Sequence, residues 1–96
     1  MEYFLEIKQE AISDIQNAYN YYENRKSGLG EQFLNTLEEY LETIQKNPLH
    51  YQIKRNPYRE TFLKIFPFVV IFEVKMNKIV VYAVFNTSKN PKKKPT

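Results

Sequence analysis

Apolar residues in the second half of the chain come in three short runs. From Arg59 to Phe85 the sequence reads RETFLKIFPFVVIFEVKMNKIVVYAVF, interrupted at Phe66-Pro67 and at Lys75-Met76-Asn77-Lys78. Each run is rich in β-branched and aromatic residues and bounded by residues that suit a turn, the mark of consecutive antiparallel strands. The first run alternates, with Thr61, Leu63 and Ile65 on one side and Phe62, Lys64 and Phe66 on the other. The next two are apolar almost throughout, as expected of inner strands covered on both faces. Tyr3 to Lys8 also alternates and reads as a half-buried strand.

From Glu10 the period changes. Ala11, Ile12, Ile15, Ala18, Tyr19 and Tyr22 recur at helical spacing, with acids in the opening turns and Arg25 and Lys26 at the end, where the helix dipole favours each. Ser27-Gly28-Leu29-Gly30 stops this helix, one glycine serving as a left-handed cap. A second helix is predicted from about Glu31 to Lys46, with Phe33, Leu34, Leu37, Tyr40, Leu41 and Ile44 as its apolar stripe and Asn47-Pro48 as its stop. Leu49 to Pro57 reads as a loop or short strand. The order is β-α-α-β-β-β, an α+β domain in which a helical hairpin lays its apolar faces on a sheet.

Composition narrows this little. The chain has 96 residues, enough for one domain, and no cysteine, so disulfide frames and thiolate metal sites are excluded. No apolar run approaches the ~20 residues of a membrane span. The opening MEYFLEIK carries acids where a signal peptide needs bases, so a cytoplasmic protein is expected. Charge changes the picture more. Residues 1–44 hold three bases against nine acids, a net −6, and residues 45–96 hold eleven bases against two acids, a net +9. The sheet half is therefore expected to present a basic face to an anionic partner. The domain is expected to span residues 1–88, with 89–96, which carry Lys89 and Lys92 to Lys94, as a basic tail.

Several features taken together resemble the RelE/ParE superfamily, toxins of bacterial type II toxin–antitoxin modules that include plasmid stabilisation proteins. They are Tyr21-Tyr22-Glu23 in the first helix, Gly28-Leu29-Gly30 followed by Phe33-Leu34, and Asn47-Pro48 at the second helix's end. Tyr58-Arg59, Leu63, Phe66-Pro67-Phe68 and the closing Ala83-Val84-Phe85-Asn86-Thr87-Ser88-Lys89-Asn90-Pro91 complete the set. The resemblance implies a four-stranded, mainly antiparallel sheet with the hairpin on one face and the target engaged by the other. It implies growth inhibition through DNA gyrase or translation, and neutralisation by a cognate antitoxin, acidic and partly disordered before it binds. No cofactor and no metal are implied. The alternatives are a ribosome-dependent messenger-RNA endonuclease and a degenerate, non-catalytic binding module.

RNA cleavage by 2′-hydroxyl attack needs a base, cations on the phosphate and an acid for the leaving oxygen. Many relatives carry a histidine where Asn86 stands and an arginine where Lys89 stands. An amide cannot exchange a proton near neutral pH, and a lysine lacks the bidentate fork, so that constellation is depleted. Arg59 matches the family's most regular arginine and heads the target-contacting set, followed by Lys64, Asn86, Lys89, Lys54 and Arg55; no catalytic residue is assigned. His50 has no second histidine or cysteine to share a metal. Glu38, Glu39 and Glu42 read as the solvated face of their helix, and Tyr21 as an exposed side chain open to a partner.

Overall fold

The first and last strands of the chain lie side by side, and everything between them is threaded around that pair. The computed structural model describes residues 2–88. In order these form β1 (Phe4–Ile7), α1 (Gln9–Arg25), α2 (Leu29–Lys46), a 3-10 turn (Pro48–His50), β2 (Ile53–Arg55), β3 (Tyr58–Phe62), β4 (Phe68–Lys75) and β5 (Lys78–Asn86). The sheet order is β1-β5-β4-β3-β2, with β1 parallel to β5 and every other pair antiparallel. The helical hairpin packs on one face and carries the chain from one edge of the sheet to the other.

The sheet has five strands where the pattern and the resemblance imply four. The additional one is β2, an edge strand whose three residues are all exposed. It pairs with β3 through Ile53 opposite Arg59 and Arg55 opposite Tyr58, with a register shift between. The α+β class and the element order otherwise follow the expected plan.

Alternation in β4 divides its side chains cleanly. Phe68, Val70 and Phe72 join Ile79, Val81 and Val84 of β5, with Phe33, Leu37 and Ile44 of α2 and Ala11 and Ala18 of α1, in the main core. A bulge between Ile71 and Phe72 shifts the register against β5, which is why Val81 and Val84, three apart, share this face. At the hairpin's mouth four rings pack together: Phe33 lies 5.6 Å from Tyr22, 5.4 Å from Phe66 and 5.1 Å from Phe68.

The joint between the helices is built on two glycines with different duties. Gly28 takes φ +90, the left-handed cap expected, so α2 begins at Leu29. Gly30 lies within α2 because α1 passes too close for a side chain. A Cβ there would stand 2.7 Å from the Tyr19 carbonyl oxygen and 2.9 Å from its ring. Glu23 closes the joint: its two carboxylate oxygens accept from the Gly28 N–H at 2.9 Å and the Gly30 N–H at 3.0 Å, satisfying the start of α2 from the preceding helix. Gly30→Ala is expected to cost roughly 2 kcal/mol, because overpacking against backbone outweighs the ~1 kcal/mol that alanine gains as a helix former. Urea unfolding checks this, and an unchanged midpoint would show that α1 yields.

Asp14 makes a long-range polar contact between α1 and β5. β1 stops where the Lys8 N–H donates to the Val81 carbonyl at 2.9 Å, so the next stretch of β5 has no strand on that side. There the Val84 N–H donates to Asp14 Oδ2 at 3.0 Å. Burial pushes the Asp14 carboxyl above its ordinary 3.8, and the Val84 N–H offsets that only in part. A carboxyl raised by folding favours the fold while protonated, and that stability disappears as pH rises through the folded pKa. Asp14→Asn keeps an acceptor and removes the charge. It is expected to gain up to ~1 kcal/mol at pH 7, a margin limited by solvent screening, and to lose that advantage at pH 4. Unfolding curves at the two pH values test the sign.

Candidate functional site

The face of the sheet away from the helices carries its own apolar patch. Val69, Ile71 and Ala83 are buried there, with Tyr58 and Phe85 packed against them. The registers Tyr58 opposite Glu73, Glu60 opposite Ile71 and Phe62 opposite Val69 place those β3 side chains on the same face. Tyr82 joins them: its hydroxyl donates to Glu73 Oε1 at 2.7 Å and its ring meets Tyr58 edge-on at 5.4 Å. That hydrogen bond, ahead of burial, pushes the Tyr82 phenol up to about 12. It therefore stays protonated and acts as a fixed ridge rather than as an acid near neutral pH.

Among the described residues this face is not the basic one expected. It carries the carboxyl side chains of Glu60 and Glu73 beside apolar and tyrosine side chains, with Glu6 and Lys78 paired at 3.0 Å towards the β1 edge. Lys78 and then Lys8 hold the Glu6 carboxyl below its ordinary 4.5. Lys75 is on this face too, 3.8 Å from Glu73, but two of the cations expected here, Arg59 and Lys64, lie elsewhere. Arg59 stands opposite Phe72, so it faces the helix side, where its guanidinium donates to the Tyr51 carbonyl. Lys64 lies beyond the end of β3, exposed in the loop to β4, with its backbone N–H donating to the Tyr40 hydroxyl at 3.0 Å. Arg55, opposite Tyr58, does flank the open face, and Lys54 sits in the bulge beside it. Lys89 and the rest of the predicted tail lie outside the described residues.

The expected set is thereby split between the two ends of the sheet. Lys54 and Arg55 lie at the end that carries the β4–β5 turn. Lys64 and Asn86 lie at the other, where the Thr87 N–H and hydroxyl both donate to the Pro67 carbonyl, at 2.8 and 3.1 Å, and tie the β3–β4 loop to the end of β5. The Asn86 amide is engaged locally: its Oδ1 accepts from the Ser88 N–H at 2.9 Å and the Ser88 hydroxyl at 2.7 Å. It caps the turn that leaves β5, a structural task that needs no proton exchange. His50 is exposed on the 3-10 turn with its ring edge-on to Tyr51 at 5.5 Å. Among the described residues no three His, Asp or Glu side chains are grouped to hold a metal ion, and no helix is long and apolar enough to cross a membrane.

Three features of consequence escaped the sequence pattern. Asp14 and Glu23 read as ordinary helix-surface acids, yet each accepts backbone N–H groups. Ile65 was expected to turn inward with Leu63; it is 81% exposed, with φ +76. The one hint in the sequence was Phe66-Pro67, because a proline following so closely ends the strand's regular alternation.

Comparison with known proteins adds a family. Residues 5–91 match the sequence pattern described as the ParE toxin of the type II toxin–antitoxin system, parDE. No curated protein sequence matches the chain significantly. Among solved structures, a chain of the chromosomal ParDE toxin–antitoxin system from P. aeruginosa superposes with a TM-score of 0.79 at 17% identity, over 88% of this chain and 96% of that one. At that identity the likeness is one of fold.

Proposed function

Because the chain belongs to the ParE toxin family of type II toxin–antitoxin systems, we propose that it arrests bacterial growth by poisoning DNA gyrase and is held inactive by a cognate antitoxin. The observation that carries the choice of gyrase over messenger RNA is Asn86. At the corner where nuclease relatives carry a histidine, this chain has an amide whose oxygen is already occupied by Ser88. It has no proton to exchange near neutral pH. A poison of gyrase needs only to bind and hold, so the loss costs it nothing.

The antitoxin proposed is an acidic chain, partly disordered when free, that orders itself on the toxin. The solved relative comes from a toxin–antitoxin pair, which supports extending such a partner to this chain. Cations at both ends of the sheet, Lys54 and Arg55 at one and Lys64 at the other, suit a partner long enough to span them. Induced expression in bacteria tests the reading: growth should stop, and co-expression of a cognate antitoxin, sought in the neighbouring reading frame, should restore it. Unimpaired growth at good soluble yield would contradict it.

A further inference from the structure

The loop between β3 and β4 is fastened at almost every residue except one. Leu63 and Phe66 are 8% and 5% exposed and belong to the helix-side core. The Leu63 N–H donates to the Phe68 carbonyl at 2.9 Å, the Phe66 N–H to the Lys64 carbonyl at 2.8 Å and the Phe68 N–H to the Phe66 carbonyl at 2.8 Å. The second of these closes a three-residue turn with Ile65 at its centre and φ +76, the rare and strained hand of the γ-turn. A β-branched residue is among the worst suited to that backbone, and glycine or asparagine among the best. The side chain so placed is 81% exposed. Neither folding nor solubility accounts for an isoleucine here, whereas strain held by rigid surroundings is a recurrent feature of functional sites.

We infer that Ile65 is the anchor by which this protein docks on a folded protein target, its side chain entering an apolar pocket whose rim carries carboxylates opposite Lys64. The geometry selects that occupant. The tip is convex and a single residue wide, and its flanks are pinned to the core, so it arrives already ordered and loses little entropy on binding. A segment that orders as it wraps needs a groove or an open strand edge, and the tip is neither. Lys64 is exposed beside it, and Phe62, 56% exposed at the end of β3, supplies further apolar surface. This inference rests on the reading as a toxin with a protein target.

The test compares Ile65→Asn, which suits the backbone but removes the anchor, with Ile65→Leu, which keeps an apolar side chain. Thermal unfolding of the purified proteins should place Ile65→Asn at or above the parent. In supercoiling assays with purified DNA gyrase, Ile65→Asn should lose at least about tenfold in potency, as expected of an interface anchor, and Ile65→Leu should stay close to the parent. A folded Ile65→Asn that inhibits as well as the parent overturns the anchor and leaves the toxin reading intact. So does an Ile65→Asn that still arrests growth but is no longer rescued by the antitoxin, which would give the tip to the other partner. A parent protein that inhibits neither growth nor supercoiling overturns the functional reading itself, and the anchor with it.

Discussion

Phe33→Ala is expected to lower stability by about 4 kcal/mol, the largest single effect in this fold. Phe33 is wholly buried, at the point where α2 begins its contact with the sheet. Its ring is shared by Tyr22 of α1, by Phe66 of the β3–β4 loop and by Phe68 of β4. Truncation therefore removes the transfer energy of one ring and opens a cavity between three elements that cannot all close on it. A domain of this size has roughly 5–15 kcal/mol of stability in total. The melting temperature should fall by about 20 °C, as differential scanning calorimetry would show. In cells most of the variant would be cleared, so growth arrest should vanish with the protein rather than with its activity. A loss under about 1.5 kcal/mol would mean that the hairpin repacks over the gap.

Arg59→Ala is expected to cost about 1–3 kcal/mol and to impair growth arrest only as far as it depletes folded protein. The half-buried guanidinium bridges β3 to the Tyr51 carbonyl in the segment between α2 and β2, and removing it leaves that carbonyl short of a donor. Its register opposite Phe72 directs it to the helix side, away from the open face. Arg59→Lys should recover only part of the loss, since a flexible ammonium replaces a planar fork. Urea unfolding gives the stability of each variant, and supercoiling inhibition per folded molecule separates the roles. A normally stable Arg59→Ala that has lost inhibition would return Arg59 to the target-contacting set.

These two residues show what the sequence could and could not reveal. Phe33 was legible because helices α1 and α2 repeat their apolar positions over four turns or more, long enough for the period to outweigh any one residue. β4 and β5 were legible for the same reason, as apolar runs bounded by a turn. β2 was legible only as a choice between loop and short strand, since three exposed residues carry no alternation. Arg59 shares its parity with Thr61, so alternation put it on the covered side while its kinship with family arginines suggested the target. Register decided in favour of packing. Ile65 and Phe66 failed differently: their alternation continues on paper past Phe62, but the chain has already left the sheet, and the turn reverses which side chain goes inward, leaving Ile65 exposed and Phe66 in the core. The Asp14 contact joins residues 70 apart through a gap left by a short β1, which no local pattern encodes. Charge asymmetry was read correctly along the chain but, among the described residues, wrongly in space, because strand faces alternate faster than composition does.

The most direct test sets two reactions side by side, with the purified protein added to a gyrase supercoiling assay and to a translation reaction programmed with a defined message. The account predicts that supercoiling stops and that the message stays uncut. Supercoiling left intact while ribosome-bound message is cleaved would contradict it, all the more if Asn86→His changed nothing.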